Sequence, residues 1–256
     1  MNESATTSAA PSRCLSCRAE SQTSLSIPDQ GQPTRWHFCR CGSIFHPAPI
    51  DSAVFRNGYY DRLLATITHG DLEERYEHLR RCYLPLIEEV VWGRRFLEVG
   101  FLIPSHLEAL RTRGWVTKGI ELSKVNGQLH GNFETYEFRL PPEARYDLIW
   151  MGHVLQCFNT PIETLAKAYG LLKPGGGLFV STPDAEQVWD TGVTEYGHWN
   201  PKEMHVFFSE RELVRQLTWL GFDVVFRIKN RSRRFLNWHD LHVLALKPTD
   251  ADARLS

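Results

Sequence analysis

The sequence predicts an α/β protein with a doubly wound, mostly parallel sheet and a small cysteine-rich module at its N-terminus. Three features point there. The run Phe96-Leu97-Glu98-Val99 is apolar and ends at Gly100; beyond it Ile103, Leu107 and Leu110 share one helical face, so the chain reads strand, tight loop, helix. Some twenty residues past Gly100 the next apolar strand ends at an acid, in Gly119-Ile120-Glu121-Leu122-Ser123. Four of the six cysteines, Cys14, Cys17, Cys39 and Cys41, crowd into the first 41 residues. In a parallel sheet ligands sit at such a crossover, because the helix N-terminus presents unpaired N–H groups just past the strand's carboxyl end. A carboxylate placed like Glu121 can accept both hydroxyls of a ribose.

At 256 residues the chain is long enough for one well-buried α/β domain plus a small appendage. A formal net charge of -1 gives no global attraction to nucleic acid or to an anionic membrane, so a nucleic-acid partner is disfavoured. There is no run of about 18 apolar residues, and Met1 to Ser12 is polar and small, without the apolar segment of a secretory signal. The expectation is a cytoplasmic protein without membrane contact, whose residues 1–12 are a disordered tail.

Residues 13–50 form the cysteine module. In a reducing compartment Cys14-x-x-Cys17 followed by Cys39-x-Cys41-Gly42 reads as a four-thiolate zinc site rather than a disulfide pair. A segment this small and polar cannot bury enough apolar surface to fold without metal. The second pair is one residue shorter than a ribbon knuckle. Cysteines at i and i+2 of a strand still face the same side, and His37 or His46 could replace one ligand. The other reading is a loop whose cysteines are merely packed.

Residues 51–92 should be helical with a break near Thr68-His69-Gly70, as a linker or lid. Leu72, Tyr76, Leu79, Tyr83, Leu86 and Val90 repeat at steps of four and three, one apolar stripe that must pack on the sheet. At the start of the next helix Ser105-x-x-Glu108 has the pattern of a capping box. Thr160-Pro161-Ile162-Glu163 has the same pattern with proline at the first helical position, predicting a helix over 161–172 that ends at the turn Lys173-Pro174-Gly175-Gly176. Ser209-Glu210-Arg211-Glu212 opens a further helix with Leu213, Leu217 and Leu220 on one face and Gly221 as its stop. Strands over 222–228 and 241–247 follow, joined by a basic loop, Lys229-Asn230-Arg231-Ser232-Arg233-Arg234. That loop could contact a phosphate or simply be solvated. Residues 249–256 are a frayed tail.

Strand, glycine turn, helix, strand and acid is a pattern that dinucleotide-binding dehydrogenases share with S-adenosylmethionine-dependent methyltransferases. The downstream segments Tyr146-Asp147-Leu148-Ile149-Trp150, His153 to Pro161, and Leu171 to Asp184 with its Lys173-Pro174-Gly175-Gly176 resemble the class I methyltransferases, over roughly Gly93 to Leu246. A helix followed by a closing strand hairpin fits that family; a dehydrogenase would continue into a further domain, for which too few residues remain. The resemblance implies a Rossmann-like methyltransferase domain over 93–248, a seven-stranded sheet whose last strand is antiparallel, S-adenosyl-L-methionine as cofactor, and O-, N- or C-methylation. A cysteine ribbon with an exit like Cys41-Gly42-Ser43-Ile44-Phe45-His46-Pro47 is similar to that of bacterial members acting on small molecules and sugars. It implies a small-molecule or carbohydrate-like acceptor. Oligomeric state is not legible.

By the same resemblance Glu98 lies near the methionine amino group, Gly100 and Phe101 form the cofactor loop, Glu121 and Leu122 meet the ribose, and Asn132 and Phe133 flank the adenine. Tyr59-Tyr60 corresponds to a tyrosine pair that closes over a ligand, or is helix-packing core. The loop departs from the family. Its alternate positions hold Gly100, Leu102 and Pro104, and proline cannot take a positive φ. Either the loop takes another path that still admits the cofactor, or the domain is a non-catalytic relative that binds a partner. His153, just past the fourth strand, is placed to see the methyl group. With His198 and His205, in an aromatic insertion expected over the acceptor, it is a candidate base for the acceptor's proton. Each of these histidines could equally be a packed one. Gln156-Cys157 stands where similar sequences have Glu-His, so no role carries over to that pair.

Overall fold

The computed structural model of the chain describes residues 12–29, 32–51, 53–56, 58, 62–63, 68–100, 103–121, 124–125, 128–129, 144–192, 202–232 and 238–249. Of the sequence-predicted positions Tyr59, Tyr60, Phe101, Leu102, Leu122, Asn132, Phe133 and His198 lie outside the described residues. In chain order the elements are β1 (Thr23–Asp29), β2 (Gln32–Phe38), β3 (Ile44–Phe45), α1 (Ala53–Arg56), α2 (His69–Val90), β4 (Arg95–Val99), α3 (Pro104–Thr112) and β5 (Val116–Ile120). A short hairpin of β6 (Lys124–Val125) and β7 (Gln128–Leu129) precedes β8 (Tyr146–Gly152), α4 (Pro161–Leu171) and β9 (Leu172–Pro183). Then come α5 (Gln187–Thr191), β10 (Val206–Phe207), α6 (Glu210–Trp219), β11 (Asp223–Ser232) and β12 (Trp238–Leu246). No helix among the described residues is long and apolar enough to cross a membrane.

The central sheet has the order β11-β12-β9-β8-β4-β5, with β5, β4, β8 and β9 parallel and β12 antiparallel to both its neighbours. This is the expected doubly wound sheet with an antiparallel final strand; it has six strands among the described residues, against the seven expected. Alternation along each strand supplies two apolar faces. Phe96, Leu148, Trp150, Phe179 and Leu244 meet Leu79, Tyr83, Leu84 and Ile87 of α2 and Leu107 and Leu110 of α3. On the other face Leu97, Val99, Ile149, Met151, Leu178 and Val180 meet Leu165 and Ala168 of α4 and Leu213 and Leu217 of α6. Glu98 lies between Phe96 and Val99 in β4 and so shares the face covered by α2.

The helix starts differ instructively from the sequence pattern. Thr68 caps α2 in a full box with Asp71, a reciprocal pair the sequence reading located only as a break. Helix α3 begins at Pro104, with Ile103 as its N-cap and no side-chain cap, so Ser105 is already inside it and Ser105-x-x-Glu108 is not a capping box. Proline's fixed φ and missing N–H suit the first helical position, which moves the start one residue upstream. Thr160 caps α4 with its carbonyl, which accepts the Thr164 N–H and Oγ1–H at 3.0 Å each, and its side chain makes no cap bond. Ser209 does cap α6, accepting the Glu212 N–H at 3.2 Å. The stripe on α2 also drifts: Leu86 is 43% exposed, and Leu84 and Ile87 are buried in its stead. The Lys173–Gly176 turn is drawn into the start of β9, where the register against β8 shifts between Tyr146 and Leu148 and Gly175 has a φ of +75°. Likewise β11 runs on through Ser232, taking up the first part of the predicted basic loop; Lys229 there pairs with Asp184, Glu186 and Glu210.

The cysteine module is joined to this domain by a shared sheet. Its strands β1, β2 and β3 continue into β10, which arrives from the distant insertion and pairs Val206 with Phe45 and Phe207 with Ile44. Trp36 stacks on Phe207 at 5.1 Å between ring centroids, and Ala185 and Val188 close the same small core.

Gly100, just past the end of β4, is a tight backbone position. Its φ is +76°, its N–H reaches the Ile120 carbonyl at 2.8 Å, and an added Cβ would lie 2.8 Å from Val154 Cγ2. Gly100→Ala is expected to cost about 1–2 kcal/mol for the left-handed backbone alone, with the clash on top. Urea unfolding of Gly100→Ala alone and combined with Val154→Ala checks this; the second change should recover the clash and leave the backbone part.

Candidate active site

The polar residues of the sheet gather under the N-terminal half of α2. Glu98 is fully buried; its Oε2 lies 2.9 Å from Nδ1 of His106, which reaches across from the first turn of α3. Glu98 Oε1 and His106 Nε2 have no hydrogen-bond partner among the described residues. Tyr76 of α2 packs on the His106 ring at 4.7 Å between centroids. Its phenol is held far from ionisation by burial and by the nearby charges of Glu98 and Glu121, so it stands close to both carboxylates. Glu121, buried just past the end of β5, and Gly100, past the end of β4, complete this group. Pro104, one of the loop's alternate positions, is the first residue of α3.

A second group lies at the end of β8. His153 adopts a φ of +53°, which a non-glycine residue holds at a cost of order 1–3 kcal/mol and which clusters at functional sites. Its N–H donates to the Ser181 carbonyl at 2.7 Å, and its carbonyl accepts from Gln156 Nε2 at 2.8 Å. The ring's Nε2 is 2.7 Å from Asp240 Oδ1 on β12, while Asp240 Oδ2 is 3.1 Å from the Arg75 guanidinium on α2. Gln156 also accepts the His205 N–H on its backbone carbonyl at 2.7 Å and the Thr182 hydroxyl on its side chain at 3.3 Å. His205 itself is buried, with Nδ1 3.3 Å from the Phe158 carbonyl. The structure therefore links His153 and His205 through Gln156.

Arg75, Asp240 and His106 escaped the sequence reading, which gave Gln156 no role. Arg75 has one faint signal, a cation at an inward position beside Tyr76 in an apolar stripe. Asp240 and His242 alternate with Leu241 and Val243, a polar-apolar pattern that normally marks a solvated strand face; here β12 is covered on both sides.

The cysteines meet as expected. Ligand atoms of Cys14, Cys17, Cys39 and Cys41 all lie within 4.8 Å of one another, with Sγ–Sγ distances of 3.8 Å for Cys14 to Cys41 and 3.4 Å for Cys17 to Cys39. Four ligands about 2.3 Å from a tetrahedral zinc would be about 3.8 Å apart, so the donor set fits that ion. Neither His37, 3.0 Å from Ser21 Oγ, nor His46, 3.2 Å from the Ala48 carbonyl, joins the cluster. Cys39 and Cys41 lie in a turn rather than a strand: Gly42 N–H returns to the Cys39 carbonyl at 2.9 Å with a φ of +92°. The first knuckle has a matching positive φ of 64° at Arg18. Both knuckles dock on α6. Ser16 Oγ–H donates to Glu212 at 2.7 Å, and the Ser209 hydroxyl donates to the Cys41 carbonyl at 2.9 Å.

A methyltransferase domain family matches residues 71–226. No curated protein sequence matches the chain. Among solved structures, a chain of the complex between the Haloferax volcanii Trm112 methyltransferase activator and a methyltransferase is similar, with a TM-score of 0.59 at 16% identity over 76% of this chain and 97% of that one. Magnesium protoporphyrin IX methyltransferase from Synechocystis PCC 6803, with bound S-adenosylhomocysteine, gives 0.55 at 14% identity over 77% and 97%. The 1,6-didemethyltoxoflavin-N1-methyltransferase of Burkholderia thailandensis gives 0.51 at 15% identity over 83% and 99%. These likenesses concern the fold. The family match spans more than half of the chain, which therefore belongs to the methyltransferase domain family and is an enzyme of that family.

Two histidines near the site are kept neutral by burial. Burial pushes the His205 pKa down to about 4, and does the same to His242, which is wedged between Tyr83 and Phe179 at 4.7 and 6.1 Å, despite the attraction of Asp240. In the unfolded chain each titrates near 6.5. Between these values the unfolded state binds more protons, so stability falls as pH drops from about 6.5 toward 4, by up to about 1.4 kcal/mol per pH unit for each histidine. Urea unfolding across that range should show this slope. His242→Phe, which keeps a ring between Tyr83 and Phe179, should remove the part of the slope that His242 contributes and leave the rest.

Proposed function

We propose that this enzyme transfers a methyl group from S-adenosylmethionine to a small-molecule or carbohydrate-like acceptor, with His153 as the group that takes the acceptor's proton. One observation carries the reading: Glu98, Gly100, Glu121 and His153 stand together at the carboxyl ends of β4, β5 and β8 beneath α2, the position where a parallel sheet receives ligands. The cofactor supplies a sulfonium-bound methyl. On the protein side, Glu98, buried with Oε2 on His106 and the Tyr76 phenol close by, offers a carboxyl group that suits an ammonium group. Glu121 suits two ribose hydroxyls, and Gly100 lets the backbone approach closely. Phe101, Leu122, Asn132 and Phe133, which lie outside the described residues, complete the proposed cofactor contacts.

With the cofactor bound, its sulfonium would supply the methyl group to the acceptor's lone pair, and His153 would take the proton the acceptor gives up. Burial and the Arg75 cation keep the His153 imidazole below its usual pKa, so at neutral pH it is free of a second proton and ready to accept one. His205, tied to the Phe158 carbonyl and through its backbone to Gln156, suits wall-building better than proton transfer. His198 remains a candidate from the sequence. The acceptor class rests on the likeness of the ribbon and its exit to sugar and small-molecule enzymes, and on a net charge that offers nucleic acid no attraction. The basic strand end is engaged inward at Lys229, which fits that reading.

Zinc is proposed for the four-cysteine cluster, as a structural ion. Four thiolates within 4.8 Å repel one another, and a dication balances them. Metal analysis should find about one zinc per chain. Cys39→Ser should lower the metal content and the thermal midpoint together; full stability with no bound metal would remove zinc from the account.

Calorimetric titration with S-adenosylhomocysteine tests the cofactor site without knowledge of the acceptor. Micromolar binding is expected, and Glu121→Ala should weaken it by about 1–3 kcal/mol through loss of charge-assisted hydrogen bonds. Absence of binding in folded, metal-loaded protein would overturn the methyl-transfer reading.

A further inference from the structure

The strongest unassigned feature is the ion cluster that joins three parts of the chain behind His153. Arg75 comes from α2, Asp240 and His242 from β12, and His153 from the end of β8; Asp240 is 165 residues from Arg75 and 87 from His153 in sequence. Arg75 and Asp240 are both buried, at 9% and 5% exposure. A buried carboxylate with only one polar neighbour would be costly, but Asp240 has one oxygen on the guanidinium and the other on the imidazole.

We propose that Arg75 and Asp240 are positioning residues for His153: Asp240 accepts the imidazole Nε2–H, and Arg75 fixes and charges that carboxylate, so that Nδ1 is the basic nitrogen.

The argument rests on hydrogen-bond inventory. An ionised carboxylate only accepts, so the 2.7 Å contact is a hydrogen bond only if the proton sits on Nε2. Asp240 is ionised because Arg75 and His153 hold its pKa far below the usual carboxylate range against the cost of burial. The lone pair then belongs to Nδ1, and an imidazolium formed by proton uptake would rest against the Asp240 charge. The backbone supports the same orientation. His153 is held in its left-handed conformation from both sides, by the Ser181 carbonyl and the Gln156 amide. Nearby charges oppose each other at the ring: Arg75 disfavours protonation and Asp240 favours it, while His242, one alternate position along β12, is neutral. The long helix that roofs the sheet thus supplies part of the acceptor-side machinery, with Arg75 turned to the acceptor side and Tyr76 to the cofactor carboxylates.

This inference builds on His153 as the proton acceptor, but its test needs neither cofactor nor acceptor. Long-range 1H–15N spectra of the full chain labelled with 15N-histidine report the tautomer and pKa of each ring, and His153→Gln identifies the resonance. His153 should be the Nε2–H tautomer at neutral pH. Arg75→Met should raise its pKa and Asp240→Asn should lower it, each by roughly one unit, because a cation is lost in one case and an anion in the other. Arg75→Lys keeps the cation and should restore most of the wild-type value. An Nδ1–H tautomer in the wild-type chain would overturn the proposal without recourse to any variant, as would shifts of the same sign in both charge-removing variants. Failure of S-adenosylhomocysteine to bind would instead strike the methyl-transfer reading and leave the tautomer result standing.

Discussion

Charge buried between a sheet and its covering helix is the constraint around which the site is arranged. Glu98 and Asp240 sit on a face otherwise made of Phe96, Trp150, Phe179 and Leu244, and that face is closed by α2. A carboxylate removed from water there must find donors or neutralise. Asp240 is satisfied by Arg75 and His153, and Glu98 holds His106 on Oε2 with the Tyr76 phenol close to the same carboxylate. The partner requirement also explains why α2 carries an arginine on its inner face, where helical patterning alone would ask for another apolar residue.

The same constraint makes α2 more than a cover. Arg75 and Tyr76 are adjacent in sequence and serve different carboxylates, one at the end of β8 through Asp240 and one near the ends of β4 and β5. Thr68 and Asp71 fix the start of the helix within two turns of these residues, so the capping box bears on the site as well as on helix stability. The lower half of the helix is anchored by apolar contact of Leu79, Tyr83, Leu84 and Ile87 and by Glu88, which accepts from Arg113 and from the Trp115 ring N–H.

The cysteine module packs against the segment that carries His205. The segment that leaves the second knuckle pairs with β10 and donates the His46 N–H to the His205 carbonyl at 2.9 Å, and the His205 N–H goes to Gln156, which holds the His153 peptide. The knuckles themselves are hydrogen-bonded to the first turns of α6 through Ser209 and Glu212. Cys14 and Cys39 belong to the same apolar cluster as Leu97, Ile149 and Leu178 of the sheet. Module and sheet are thus one packed unit, and a metal ion at the cysteines would stiffen the backbone that, through His205 and Gln156, holds the His153 peptide.

The sequence by itself determined the sheet, the order of its elements, the glycine turn with its positive φ and the convergence of four cysteines. Each of these follows from local periodicity, backbone sterics or ligand spacing, which act over a few residues. It also located Glu98, Glu121 and His153, because strand ends are legible from where apolar runs stop. Local pattern misled where two local preferences competed, as when Pro104 outranked Ser105 for the start of α3. What only the tertiary structure decided was which polar residues meet. Asp240 finds Arg75 and His153 because β12 is inserted beside β9 and α2 crosses above it, and His106 finds Glu98 because α3 folds back on β4. Those pairings are set by burial: charges far apart in sequence are forced together when the surfaces that carry them are removed from water, and no spacing rule along the chain encodes that.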